Sequence, residues 1–308
     1  MKALKVTIKP TSSFASPLMS DTLFGNFCWQ FLELYGEKRL QEYLKHYSKA
    51  PFIVFSDGFP SGYLPKPFLK PEDHGEKTDI KKYKKLRFIK QKTILSLVCN
   101  LNESHLFKRL TTEETQETSN RCWKRQRIFK NAINRLSNTV LNLYHTEEGF
   151  FDENFCFDIY LKYNDHLLKQ EEVLNVLEHI GKIGYGKDAS IGKGKFEIKN
   201  YEASPVVLQK RDNINAFISL SHGIPDSSIR DGYFKTITKF PKHGGYLAIT
   251  ANPFKNPVIL TIPGSVFLVK EIKEVYGHAV NISPNRGNHI HSAFMLPLFV
   301  HLEGVSND

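Results

Sequence analysis

The sequence predicts an α+β chain: a split βαβ, ferredoxin-like (RRM-like) domain over residues 1–204 with an insertion at about 72–146, then a strand-rich domain over 205–308. Three observations carry this. Leu4, Val6 and Ile8 alternate with Lys5, Thr7 and Lys9, the period of a half-buried strand, and the same period returns from Phe155 to Tyr163. Each of these strands leads into a helical pattern and then a further strand, the order of a split βαβ unit. Beyond Pro205 the texture changes to short β-runs with faint helices.

Taken in order, Ser20 is placed to cap a helix carrying Phe24, Phe27, Cys28, Phe31 and Leu34, which Gly36 ends. A second short helix holds Leu40, Tyr43, Leu44 and Tyr47. Phe52-Ile53-Val54-Phe55 reads as a strand, followed by turn chemistry at Asp57-Gly58 and Ser61-Gly62. Val173, Leu174, Leu177 and Ile180 predict a helix closed by Gly181, and Lys195 to Ile198 a strand. In the second half, strands are expected at Ile214–Leu220, Tyr246–Thr250, Val258–Ile262, Val266–Val269 and Phe294–Leu302.

With 42 Lys plus Arg against 32 Asp plus Glu, the formal charge is +10, which favours polyanionic partners. No run approaches the roughly 18 to 20 apolar residues of a membrane span, and the first residues lead into no signal-peptide core, so a cytoplasmic location is expected. Cys28, Cys99, Cys122 and Cys156 are widely spaced and form no CxxC pair, so neither disulfides nor a zinc site is expected. No cofactor is expected either.

The positive charge is segregated. Residues 181–196 carry five glycines and four lysines between a helix and a strand. Glycines at Gly184, Gly186, Gly192 and Gly194 let backbone N–H groups, and Ser190, approach phosphates that Lys187, Lys193 and Lys195 would neutralise. The same composition also suits a flexible basic loop. A Walker A loop is excluded because Gly186 to Gly192 is one residue too long and Lys193 is followed by Gly194. A dinucleotide fingerprint is excluded because the segment follows a helix and precedes a strand.

From Arg121 to Thr146 there is no acid, and Arg121, Lys124, Arg125, Arg127, Lys130 and Arg135 are interleaved with Trp123, Phe129, Asn131 and Asn134. Such a segment suits phosphate contact with base stacking, or a solvated helical face. Lys77 to Lys92 holds eight basic residues and one acid. Catalysis finds little support. His289 and His291 would share a strand face but lack a third ligand at metal spacing, Asp21 suits a helix start, and His46 has no assignable acid–base partner.

Ser20-Asp21-Thr22-Leu23-Phe24-Gly25, Phe55-Ser56-Asp57 with Leu64-Pro65-Lys66-Pro67, Asn131-x-Ile133-Asn134-Arg135 and the Gly184-to-Phe196 loop together resemble the RAMP superfamily. Within it the chain is most similar to the guide-end subunit of type III-A (Csm) CRISPR interference complexes. That resemblance implies two ferredoxin-like domains, an inserted thumb-like segment, and a non-catalytic role in antiviral defence. It implies binding of the repeat-derived 5′ tag of the guide RNA and docking to a large polymerase/cyclase-type subunit and a backbone RAMP subunit. Target RNA is a further partner it admits. By position, Gly184 to Lys195 would hold tag phosphates and Arg121 to Arg135 would belong to the thumb. Bulky Tyr185 and Ile191 and acidic Asp188 depart from the usual loop. Two alternatives stand beside it: a RAMP endoribonuclease processing precursor CRISPR RNA with His46 as base, and a stand-alone RRM-like RNA-binding protein, for which the base-stacking RNP aromatic pattern is not evident.

Overall fold

A computed structural model of the chain describes residues 1–72, 82–112, 123–211, 213–245, 253–284, 287 and 289–304. The Tyr246–Thr250 strand expectation, Arg121 and Cys122 lie outside these.

The first sheet contains β1 (Lys2–Pro10), β2 (Ile53–Pro60), β7 (Phe157–Tyr163) and β8 (Phe196–Ala203) in the order β2-β7-β1-β8, every pair antiparallel. Helices α1 (Ser20–Tyr35) and α2 (Glu37–Lys45) connect its first two strands in chain order, and α5 (Gln170–Ile183) the last two. This is the split βαβ arrangement that the alternating patterns predict. Leu4, Val6 and Ile8 are fully buried on one face and meet the helices through Phe27, Phe31, Val173 and Leu177.

The second sheet, from β9 (Ala216–Ser219), β10 (Ile229–Tyr233), β13 (Val266–Val269) and β16 (Pro297–Val300), has the order β10-β13-β9-β16. Counted within each sheet, both read second, third, first, fourth, with antiparallel pairing throughout. The crossovers differ. Gly223 and Pro225 disfavour a helix between β9 and β10, and none is described there. The later crossover carries a hairpin of β14 (Tyr276–Val280) and β15 (His291–Met295). A ribbon of β11 (Thr236–Lys239) and β12 (Val258–Thr261) stands beside it.

Between β2 and β7 lie β3 (Tyr63–Pro65), β4 (Phe88–Lys90), helices α3 (Gln91–Leu97) and α4 (Glu103–Thr112), and a long hairpin of β5 (Trp123–Asn134) and β6 (Thr139–Phe151). The hairpin between β2 and β7 runs to Phe151, five residues beyond position 146. One continuous core joins both sheets, from Leu4 to Leu302.

Several local expectations change. Met19, not Ser20, is the N-cap of α1, and the cap comes from elsewhere: the Ser20 N–H donates to Asp57 Oδ1 at 3.0 Å. Asp57-Gly58 lies inside β2, where the ladder register shifts between Phe55 and Gly58, and so forms no turn. Helix α5 runs past Gly181 to Ile183 and is capped by Gly184. A Cβ at Gly181 would stand 2.3 Å from the Phe196 carbonyl, so that glycine serves packing against β8. The run Phe294–Leu302 is two strands split at Leu296. His289 lies outside β15, so the two histidines share no strand face.

Candidate nucleic-acid interface

The glycine loop is a folded object. Tyr185 is fully buried, and its hydroxyl accepts from the Met19 N–H at 3.0 Å and donates to Pro17 O at 2.9 Å. The Tyr185 N–H donates to Gly194 O, the Gly194 N–H to Ser13 O, the Lys195 N–H to Ser12 Oγ and the Lys187 N–H to Ser16 Oγ. These amides are spent inside the protein. A Cβ at Gly194 would lie 2.1 Å from Tyr185 O and one at Gly184 2.4 Å from Lys193 O, and both glycines have positive φ. They are therefore required by the loop's own packing, which the phosphate-approach expectation did not foresee.

Gly192 differs: at φ +87° it faces open space. It ends the short 3-10 turn Ala189–Ile191, whose first residues, like Gly186 and Asp188, have no backbone N–H partner within the loop. Lys187, Ser190 and Lys195 are exposed around it. The exposed lysines and the backbone N–H groups without a partner in the loop all lie on this outer edge.

Beside the loop projects the β5–β6 arm. A helical face for this segment is excluded by its strand pairing, and twelve residues of β5 reach about 40 Å at the usual rise. Its far half is exposed on both sides: Phe129 is 69% and Leu136 100% accessible. Its foot is fixed by paired backbone bonds between Phe14 and Gly149 and by rings of Phe14, Phe151, Phe155 and Phe157 at 4.9 to 5.4 Å.

Alternation along β5 sorts the predicted site residues onto two faces. Lys124, Lys130 and Asn134 share the face of Glu148, which looks onto the glycine loop. Arg125, Arg127 and Asn131 share the opposite face with Trp123 and Phe129. Arg135 lies at the exposed tip. Of the first set, Lys130 meets the loop, its Nζ 3.4 Å from Asp188.

The meeting point is ionic. Glu148, 1% exposed, accepts from Lys193 Nζ at 2.7 Å and Ser13 Oγ at 2.9 Å, while Lys130 Nζ lies 3.8 Å from Glu148 and 3.4 Å from Asp188. Burial opposes the Glu148 charge, but Lys193, Ser13 and Lys130 outweigh it and hold the carboxyl below its ordinary range. Lys193 is thus engaged as an internal anchor. Among the described residues Lys187 and Lys195 have no carboxylate partner.

The motif residues Ser20-Asp21 and Phe55-Ser56-Asp57 lie at the seam between the sheets. Asp21 is buried and bound by Lys239 Nζ at 2.6 Å, with His291 Nε2 at 3.4 Å. Asp57 Oδ2 is 2.8 Å from His222 Nδ1, and Ser221 Oγ donates to Phe55 O. Those residue types looked like a helix start and a turn; the second-half partners of Asp21, Phe55 and Asp57 lie more than 160 positions away, beyond any sequence period. His46 is exposed at the end of α2. No cluster of three or more His, Cys, Asp or Glu suited to a metal exists among the described residues, and none of their helices is long and apolar enough to cross a membrane.

No family model and no curated protein matches the sequence. Solved structures do match the fold over nearly the whole chain. A chain of a Csm1–Csm4 cassette in complex with cA4 gives a TM-score of 0.62 at 15% identity, covering 98% of this chain and 99% of that one. The cassette in complex with pppApA gives 0.60 at 15%, covering 99% and 100%. A Csm3–Csm4 subcomplex of the type III-A CRISPR-Cas interference complex gives 0.59 at 18%, covering 97% and 99%. At these identities the likeness is one of fold.

Proposed function

We propose that this chain is a non-catalytic RNA-binding subunit of a type III-A CRISPR interference complex. It caps the 5′ tag of the guide RNA and links a large polymerase/cyclase-type subunit to the first backbone RAMP subunit. The observation that carries this is the end-to-end fold match to chains from two assemblies whose shared component is Csm4. The division into two ferredoxin-like domains, 1–204 and 205–308, with the insertion as a thumb, belongs to the same proposal and is supported by the repeated strand order.

RNA would run along the outer edge of the glycine loop, over Gly186, Lys187, Ser190, Gly192 and Lys195, and onto the adjoining face of the arm at Lys124, Lys130 and Asn134. Gly184, Lys193 and Gly194 shape that edge from within. Among the described residues, no acid or base stands against the exposed His46, the base that a nuclease reading would need.

The test is to purify the chain with its native neighbours and sequence the RNA that accompanies it. A common repeat-derived 5′ end supports the proposal. Heterogeneous 5′ ends overturn it, and cleavage of a repeat transcript that is lost on His46→Ala favours the processing enzyme.

A further inference from the structure

On the arm face turned away from the glycine loop lies a groove of about 1450 Å³, walled by the 14–19 segment, β2, the Pro65–Pro71 stretch, the foot of the arm and residues 232–237 of the second half. That exceeds the roughly 300–1,000 Å³ of a site for one drug-sized ligand and leaves room for a chain of several units. Its wall shares Asp57 and His222 with the sheet seam, and none of the glycine-loop residues 184–195 lines it.

Cations stand over aromatic rings along its wall. Arg125 Cζ is 5.5 Å from the Trp123 ring centroid, Lys235 Nζ 5.0 Å from that of Phe68, and Arg87 Cζ 5.8 Å from that of Phe88. Phe234 adds a half-exposed ring.

Two carboxylates of the wall are paired with cations outside it, Glu148 with Lys193 and Glu147 with Arg127, while Asp57 lies against His222, and Glu103 and Glu72 keep their charge beside the hydroxyls of Tyr83 and Ser104. Arg87, Arg125 and Lys235 have no carboxylate partner among the described residues. Against the remaining Asp57, Glu72 and Glu103 the wall sets five cations, Lys66, Lys84, Arg87, Arg125 and Lys235, so the balance is positive, and it is crowded. Lys66 is pushed down to about 8 by burial, with Lys235 and Lys84 adding to the effect against Glu103. Arg87 is held below its ordinary range by the apolar wall around it and by Arg125. An anion entering here relieves repulsion that the fold leaves unanswered.

Alternating cations and accessible rings are what a single strand needs: phosphates take the cations and bases stack on the rings. An acidic peptide would satisfy the charges but leave the rings without a matching surface. We propose that this groove is a second nucleic-acid site, separate from the loop edge, binding a short single strand through Arg87, Arg125 and Lys235 with bases on Trp123, Phe68 and Phe234. It stands on its own observations and does not require assembly with other subunits.

The chain contains two tryptophans, and Trp29 packs against Gly244 and Gly245. In the full-length Trp29→Phe protein, Trp123 is therefore the sole indole and reports on the groove directly. Titration with hexauridylate should quench it saturably. Arg87→Ala combined with Lys235→Ala, both at exposed side chains, should raise the Kd at least ten-fold with an unchanged melting temperature. Lys187→Ala with Lys195→Ala, at the loop edge, should leave the quench within two-fold. Three results overturn the proposal: no quench by hexauridylate or hexathymidylate, an equal loss in the loop variant, or equal quench by hexaglutamate, which would make the groove a seat for an acidic protein segment. Failure of the guide-RNA proposal would leave this measurement unaffected.

Discussion

Glu148 Oε2 lies 2.7 Å from Lys193 Nζ, joining the foot of the arm to the glycine loop across 45 positions of sequence. Removing one member of a buried pair costs about 3–5 kcal/mol, and less here because Lys193 is a quarter exposed. Glu148→Gln keeps the shape and removes the charge, so a loss of about 1–3 kcal/mol is expected. Hydrogen exchange at Thr146 to Gly149 should accelerate more than exchange in β1. Unchanged protection there would mean that the aromatic foot alone holds the arm.

The glycines of the loop should separate under substitution. Gly194→Val drives a side chain into the Tyr185 carbonyl and should unseat Tyr185, lowering the melting temperature and RNA affinity together. Gly192→Ala meets no atom and costs only its left-handed backbone, about 1–2 kcal/mol. Its RNA affinity should stay close to wild type, whereas bulky Gly192→Trp should block the outer edge. Equal melting temperatures for Gly194→Val and wild type would show that the loop's packing is not needed for its fold.

The strands most legible in the sequence are β1, where buried and half-buried residues alternate, β7, whose sequence alternates although both its faces are buried, and β13, which has the bounds its apolar run suggests. Ile229-Arg230-Asp231-Gly232-Tyr233 has no such period, because β10 is largely exposed, and it was not read as a strand. The charged clusters were illegible for a different reason. Asp21 with Lys239, and Glu148 with Lys193, pair through tertiary approach, which leaves no trace in local spacing. Segregation of lysines and glycines marks a segment between a helix and a strand but carries no sign of which glycines face inward.

Salt dependence should distinguish anchoring lysines from phosphate-contacting ones. Each phosphate neutralised on a single strand contributes about −0.7 to the slope of log K against log salt, so four contacts give a slope near −3. Lys187→Ala and Lys195→Ala should each flatten it by about 0.7. Lys193→Ala should weaken binding through the loop's shape and leave the slope nearly unchanged. A slope change for Lys193 as large as for Lys187 would show that its nitrogen leaves Glu148 for the RNA.

The seam between the sheets should make stability sensitive to acid. His291 is pushed down to about 4 by burial, partly offset by Asp21, with Lys255 and Lys239 adding to the depression. A histidine with a lowered pKa in the fold binds fewer protons than the unfolded chain between about pH 4 and its ordinary 6.5. Stability therefore rises with pH across that window and is lost as pH falls through it. The loss attributable to His291 is up to about 3 kcal/mol, from 1.36 kcal/mol per pKa unit. The Asp21 carboxyl is itself held below its ordinary value, because Lys239 and His291 outweigh the effect of burial, so its contribution disappears only below about pH 4 and falls outside the same window. His291→Gln removes the titrating ring. Urea unfolding at pH 7, 5.5 and 4.5 should show a shallower decline in the variant than in wild type, and parallel declines would mean that His291 accepts its proton in the folded chain as readily as in the unfolded one.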